Sequence, residues 1–429
     1  MSLTPARGHP RLSTDRLESF FAPCPRGLEA VLARELETLG AVQVQATAGG
    51  VAFRGPFVLG SRVCLWSRVA SRVLWRLAEG FYQDESDLYQ LARAVDWPSL
   101  FSPRETIRVE ADAVGSPLRS IHFAALRIKD AVVDRFRATV GTRPSVETAR
   151  PDIRIRLFVS ERSASIYLDL AGEALFKRGY RRVGLEAPLR ENLAAGLLLL
   201  EGWHGERVFF DPMMGSGTLL CEAAMIATDQ APGLGRRFAF ERLAGHDRAA
   251  WQVALEEARA RLKPLPAGLL FGGDERAEAL AATEAHLRAV AQVEPARADR
   301  ARAWMSAIAL HQMRVEDSVP PPTSGGDILG ARGLVLSNAP YGQRLDDRCR
   351  LSAWYPSLGR WMKRSLVGWV ACFLTADRGF PAGVGLRPRR RIVLFNGPIE
   401  CRLYEFELYE GSRRPSLRPC TESNRSGSG

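Results

Sequence analysis

Two short stretches of this chain bring together residue types that could do chemistry. In Asn338-Ala339-Pro340-Tyr341-Gly342 an amide side chain, a main-chain carbonyl and an aromatic ring fall within four residues. A carboxamide oxygen and the carbonyl of residue 339 can accept the two hydrogens of an exocyclic amine on a nucleobase. The amine's lone pair, otherwise delocalised into the ring, then turns toward an electrophile. Tyr341 offers a face on which an extruded base can stack. Pro340 stiffens the turn that keeps the two partners in line. Such a transfer needs neither a metal ion nor a covalent nucleophile. Asn338, Ala339, Pro340 and Tyr341 are therefore the candidate catalytic residues.

The second stretch is Val208-Phe-Phe-Asp211-Pro-Met213-Met-Gly215-Ser-Gly217-Thr218, followed by an apolar run from Leu219. It reads as a buried strand that ends in an acid, then a glycine-bearing turn, then a helix start. The free N–H groups and positive dipole end of a helix N-terminus can hold a ligand carboxylate or phosphate. Glycine lets a ligand approach the backbone closely. A dinucleotide fingerprint would need a third glycine where Leu220 stands, which disfavours NAD. Asp211, Met213, Gly215, Gly217 and Thr218 are the candidate cofactor-binding residues here. A plainer alternative is a turn that only packs strand against helix.

Elements must carry these loops into proximity. The chain has 429 residues, enough for two or three domains, and a net charge of +11. That balance suggests an anionic partner, most plausibly nucleic acid. Lysine stands only at 129, 177, 263 and 363, so arginine dominates the 59 basic residues; its planar fork suits phosphates and base edges. Seven scattered cysteines with no CxxC spacing predict reduced thiols and no structural zinc. Cys221 reads as a small buried residue. No export signal or apolar run of membrane length is present, so a cytoplasmic protein is expected.

Residues 1–16 and 413–429 read as disordered. Leu28, Val31, Leu32, Leu36 and Leu39 predict a helix stopped by Gly40. Strands at Val42–Gln45 and Val51–Phe53 turn at Gly49-Gly50, and a helix is expected from Phe57 to Ala78. A strand at Thr106–Asp112, a basic helix over Leu118–Phe136 and two alternating strands near 153–159 and 164–170 follow. Arg119, Arg127, Lys129, Arg135 and Arg137 could face phosphate, although a charged helix face is commonly just solvated. Residues 172–189 read as a basic connector in which Lys177, Arg178 and Arg181 could track RNA beside aromatic rings. From Arg190 onward strands and helices alternate, with strands near 269–274, 333–338, 367–374, 391–395 and 401–409. The alternation predicts a doubly wound, mostly parallel sheet with its ligand at the strands' carboxyl ends.

Several motifs together are specific. They include Pro25-Arg-Gly-Leu-Glu, Gly49-Gly-Val-Ala-Phe, Trp66-Ser-Arg-Val-Ala-Ser-Arg, Arg178-Gly-Tyr-Arg and Ala187-Pro-Leu-Arg-Glu-Asn-Leu-Ala-Ala, besides the two stretches above. On them, over nearly all of 17–412, the chain resembles the THUMP-domain SAM-dependent rRNA methyltransferases, in particular those of bacterial 23S rRNA guanine N2. The resemblance implies an α/β fold: a Rossmann-like methyltransferase domain at 190–412, preceded by an α+β ferredoxin-like unit at 17–80, a THUMP RNA-binding module at 81–171 and the linker 172–189. It implies S-adenosyl-L-methionine (SAM) as methyl donor, with Asp274 on the donor's ribose. Family members usually carry Asn-Pro-Pro-Tyr, so Ala339 replaces a proline; Ser306 aligns where the family has an acid facing the adenine amine. Some relatives fuse a second methyltransferase domain, and none is expected after this one.

The expected activity is methylation of a guanine N2 in 23S rRNA or a large-subunit precursor, with no membrane and no metal. The alternatives are a tRNA guanine-N2 methyltransferase and a catalytically inactive RNA-binding ribosome-assembly factor.

Overall fold

The structure, a computed structural model, describes residues 16–181, 189–292, 298–322, 333–340 and 345–409. The expected disorder at 1–15 and 413–429 lies outside the described residues. The N-terminal half comprises β1 (Glu18–Pro23), α1 (Glu29–Thr38), β2 (Val42–Thr47), β3 (Gly50–Gly55), α2 (Phe57–Trp66), β4 (Leu74–Phe81), α3 (Glu85–Arg93), α4 (Trp97–Leu100), β5 (Ile107–Ala113), α5 (Ile121–Val140), β6 (Ile153–Val159) and β7 (Ser163–Asp169). Among the described residues these strands form one sheet in the order β2-β3-β1-β4-β7-β6-β5. The two N-terminal units thus share a continuous sheet, with β4 pairing to both β1 and β7.

The helix expected from Phe57 to Ala78 ends at Trp66, and Leu74–Phe81 is a strand. A tertiary contact stops it. The half-buried Glu35 carboxylate on α1 accepts hydrogen bonds from the Ser67 hydroxyl (2.6 Å) and the Arg68 N–H (2.6 Å). Those groups hold the chain extended just where the helix would continue, and Ser67 has ψ 126°. Burial pushes the Glu35 carboxyl above its usual range, and the Ser67 and Arg68 bonds pull the other way.

The C-terminal half comprises α6 (Glu191–Leu200), β8 (Phe209–Asp211), α7 (Thr218–Ala227), α8 (Arg248–Ala260), β9 (Leu270–Asp274), α9 (Ala277–Ala291), α10 (Ala298–Ala307), β10 (Ala309–Gln312), β11 (Leu334–Asn338), α11 (Leu345–Ser365), β12 (Val370–Thr375), α12 (Phe380–Val384), β13 (Arg390–Asn396) and β14 (Ile399–Glu407). Its sheet runs β10-β9-β8-β11-β12-β14-β13. β14 is antiparallel to both its neighbours, while the pairs from β10 to β12 are parallel. This is the doubly wound sheet anticipated from the alternation. Phe209, Leu270, Leu334, Leu336 and Cys372 are fully buried between the covering helices, as parallel strands require.

The two halves share one apolar core. A Cβ on Gly196 of α6 would meet Leu28 at 2.3 Å, and one on Gly233 would meet the Leu65 backbone at 2.8 Å. Arg242 bridges Glu105 (3.0 Å) and Asp152 (3.0 Å) across the junction. Among the described residues no helix is long and apolar enough to cross a membrane. Cys221 is buried, as are Cys24, Cys64, Cys372 and Cys401.

Candidate functional site

Strand order reverses between β8 and β11, and such a switch point opens a crevice at the carboxyl ends of a parallel sheet. Asp211 closes β8, Asn338 closes β11, and Val335 pairs with Phe210. The Ser337 hydroxyl donates to Asp211 Oδ1 at 2.6 Å, and the Met213 N–H donates to the same oxygen at 3.2 Å. The two loops thus leave adjacent strands and are tied at their roots. Asp211 is buried, and burial pushes its carboxyl up to about 7; the Ser337 and Met213 bonds oppose this and the charge of Asp274 adds to it.

The glycine turn is held from behind by α9. The Thr283 hydroxyl donates to the Gly215 carbonyl (3.0 Å), and His286 Nδ1 lies 2.9 Å from the Ser216 carbonyl. A carbonyl only accepts, so Nδ1 carries the proton. Gly217 has φ +72°, and a Cβ there would meet Thr283 at 2.4 Å. Gly215 has φ +53° with nothing within 4 Å of an added Cβ, so its Cα borders open space that a ligand can approach. Helix α7 starts at once with Thr218, presenting its N–H end there.

Asp274 closes β9 beside this turn. Its Oδ2 accepts the Gly215 N–H (2.9 Å), and its Oδ1 accepts the Arg276 N–H (3.1 Å) and Nε (3.2 Å). Ser306 is not brought to this place. It is exposed in the last turn of α10, where its hydroxyl donates to the Arg302 carbonyl (3.1 Å). The neighbouring Ala307 carbonyl accepts from Gly268, which precedes β9, so Ser306 sits at the strands' amino ends, opposite Asp274. The carboxyl end of β10 belongs to Gln312 and Met313, whose N–H donates to the Asp274 carbonyl at 3.0 Å. The intervening strand β10 was not anticipated, and the expected alignment of Ser306 falls one strand length short.

Asn338 is half-buried and pairs with Leu374 of β12, and the Ala339 N–H donates to the Leu374 carbonyl at 2.9 Å. Its Oδ1 is shielded from solvent and accepts no hydrogen bond among the described residues. A buried acceptor left without a donor costs about 1–3 kcal/mol. That cost is consistent with a partner arriving from outside the chain. Ala339 is buried and Pro340 exposed. Tyr341 lies outside the described residues.

Of the basic candidates, Arg119 is exposed ahead of α5. Lys129 pairs with Asp130 (2.8 Å) and the exposed Lys177 with Glu173 (2.5 Å). Arg178 does not face solvent. It is buried, donating to the carbonyls of Leu175 (2.8 Å) and Arg68 (2.5 Å) and pairing with Glu222 (3.5 Å). Burial raises the Glu222 carboxyl and Arg178 lowers it. The Tyr180 hydroxyl also donates to Glu222, at 3.3 Å. Arg181 turns toward the glycine turn: it donates to Glu191 (3.2 Å), the Leu189 carbonyl (3.1 Å), Thr218 Oγ1 (3.3 Å) and, more distantly, Ser216 Oγ (3.5 Å). The described part of the connector is thus packed structure, and two of its three basic residues pair with carboxylates of the C-terminal half.

Sequence reasoning passed over Ser337, Thr283 and His286. The signal for the last two was present: polar residues three apart on a helix face otherwise made of Ala279, Ala282, Leu287 and Val290.

Comparisons with known proteins agree with this fold. The family described as "RMKL-like, methyltransferase domain" matches residues 178–318 and 326–405. A THUMP domain matches 82–169, and an RlmL ferredoxin-like domain matches 19–74. Proteins named "Ribosomal RNA large subunit methyltransferase K/L" from Syntrophotalea carbinolica and Aeromonas hydrophila are each 40% identical, over 91% and 92% of this chain. The match covers 54% and 55% of those proteins, so this chain spans about half the length of the curated relatives it matches. Among solved structures, SMU.472 in complex with SAH superposes with TM-score 0.79 at 28% identity, covering 93% of this chain and 100% of that one. TrmN from Thermus thermophilus shares the fold, with TM-score 0.63 at 20% identity, over 92% of this chain and 100% of that one.

Proposed function

Because this chain belongs to the family of RMKL-like methyltransferase domains, we propose that it transfers a methyl group from SAM to the exocyclic N2 of a guanine in 23S rRNA. The observation that carries the proposal is the solvent-shielded Oδ1 of Asn338, which has no hydrogen-bond partner among the described residues, one residue beyond the hydroxyl that ties down Asp211 of the glycine turn. Acceptor and turn lie side by side at a switch point, as a direct transfer between two bound molecules needs. The relatives' names support large-subunit rRNA as the substrate class. SAH, which SMU.472 holds, is what SAM becomes after giving up its methyl.

The residues fit such a donor. When bound, SAM supplies a methyl activated by its sulfonium. Gly215 leaves room beside its Cα, and the N–H end of α7 suits the donor's carboxylate. Asp274 Oδ2, which accepts only the Gly215 N–H among the described residues, keeps a second lone pair for a ribose hydroxyl. Met313, at the carboxyl end of β10, takes the adenine-side place that Ser306 does not reach. On the acceptor side, Asn338 Oδ1 and the Ala339 carbonyl accept the hydrogens of the guanine amine, and Tyr341 stacks on the base. Arg119 and Lys129 belong to the module that grips RNA. Such an enzyme works in the cytoplasm, where ribosomes assemble.

Methyl transfer from labelled SAM to naked 23S rRNA and to tRNA tests the substrate, and a preference for tRNA would overturn the rRNA assignment. Asn338→Ala is expected to lower turnover by at least ~100-fold, the scale of losing a hydrogen bond that acts on the reacting group, while SAM still binds. Undiminished turnover would remove the role given to Asn338.

A further inference from the structure

The loop ends of β13 and β14 carry a feature that the reaction itself does not use. β13 is antiparallel to β14, which is antiparallel to β12, so the carboxyl end of β13 lies on the same edge of the sheet as Asp211 and Asn338. Two arginines from elsewhere converge there. Arg26, from the ferredoxin-like unit, lies over the Phe395 ring with its guanidinium carbon 4.7 Å from the centroid. Arg190, which begins α6, lies over Phe176 at 5.1 Å, and its Nη2 would be 3.0 Å from a Cβ on Gly397. The Arg190 N–H is 3.4 Å from Asn396 Oδ1. Both arginines are exposed. Neither has a carboxylate within ion-pair reach among the described residues, whereas Arg72, Arg156, Arg242 and Arg390 all do.

Nearer the crevice, Arg378 follows β12 and Arg402 lies on β14 opposite Thr375. Both reach the same Glu400 oxygen, at 2.9 and 3.1 Å, and the Arg378 side chain stays 71% exposed. Among the described residues, Glu400 is thus the one carboxylate ion-paired with these four guanidinium groups. Three strand spacings separate β13 from β11, about 14 Å, a span of a few nucleotides.

We propose that this rim, from Arg26 and Arg190 through Arg378 and Arg402 to the Asn338 loop, is the track for the RNA strand flanking the target base. The proposal rests on the RNA-methyltransferase reading above. A guanidinium already held over a ring loses little freedom when it binds, and its fork matches phosphate oxygens. Half-buried rings beside exposed positive charge suit a single strand whose phosphates need neutralising. The rim also draws Arg26 from the N-terminal half and Arg190, Arg378 and Arg402 from the C-terminal half. A strand lying on it would contact the ferredoxin-like unit and the methyltransferase domain together.

The test uses the full chain with Arg26→Gln and Arg378→Gln, singly and combined. Neither side chain belongs to the proposed donor or amine site. RNA affinity is measured from 50 to 200 mM salt, alongside SAM affinity, thermal midpoint and kcat at saturating RNA. Each variant is expected to bind RNA roughly 3–10-fold more weakly and to lower the salt slope by about 0.7, the amount for one phosphate contact on a single strand. SAM affinity, thermal midpoint and kcat should match wild type, and Arg26→Lys should retain the slope. A double variant with wild-type RNA affinity and slope would overturn the rim. Wild-type protein that binds SAM but no RNA at any salt would instead remove the reading beneath it, and the rim with it.

Discussion

Asp211 makes the stability of the catalytic half depend on pH in an unusual direction. Its carboxyl is buried at the root of the glycine turn, and burial raises it from 3.8 to about 7. In the unfolded chain the same group loses its proton near 4. Between those values the folded state holds the extra proton, so stability falls as pH rises through this window and levels off above about 7. At about 1.4 kcal/mol per pH unit the loss amounts to about 4 kcal/mol. Asp211→Asn removes the ionisation, and the amide oxygen can still accept from the Ser337 hydroxyl and the Met213 N–H. The variant and wild type should be equally stable at pH 4 and diverge as pH rises. By pH 7.5 the variant should melt roughly 8–16 °C higher, given about 2–4 °C per kcal/mol for a domain of this size. Thermal midpoints from pH 4 to 8 by differential scanning fluorimetry provide the assay. A difference independent of pH, or wild-type stability that climbs between pH 4 and 7, would refute the reasoning.

Two further substitutions probe the supports of the site. Gly217→Ala meets both a left-handed backbone and Thr283 at 2.4 Å, so a loss of about 2–5 kcal/mol and weaker SAM binding are expected. Gly215→Ala, with nothing within 4 Å, should cost only about 1 kcal/mol of stability while still weakening SAM binding; urea unfolding and calorimetric titration would read both effects. Glu222→Leu leaves the Arg178 guanidinium buried without its counter-charge and should destabilise by about 3–5 kcal/mol. Adding Arg178→Met should recover most of that loss, and a double variant as unstable as the single would contradict the pairing.

Much of the local structure at the candidate site was legible in the sequence because it depends on neighbours along the chain. Asp211, the glycines and Thr218 form a strand end, a turn and a helix start over eight residues, and local rules suffice to read them. Asn338 and Ala339 were equally local, as were the long helix α5 and the strands β6 and β7, whose apolar positions repeat at the period of their element. Errors fell where a distant partner decides. Nothing between 57 and 78 reveals that Glu35 holds the backbone of Ser67 and Arg68, so a helix ran on through what is β4. Arg178 and Arg181 look alike in a basic connector. Only the position of Glu222 on α7 and of Glu191 on α6 turns both inward. Ser306 was misplaced because the short β10 leaves little periodic signal, so the register after α10 could not be counted.

The sequence by itself determined a strand end, glycine turn and helix start at 208–218 and a second strand ending at Asn338, since each is a matter of residue type and conformation over a few positions. That they lie side by side was decided only by the pairing of β8 with β11, which sets Ser337 against Asp211 across 126 residues of chain. Side-chain patterning tells each strand which face to bury. Which strand lies beside which follows from closing long loops around a common core, a balance of chain entropy and burial that no local window contains.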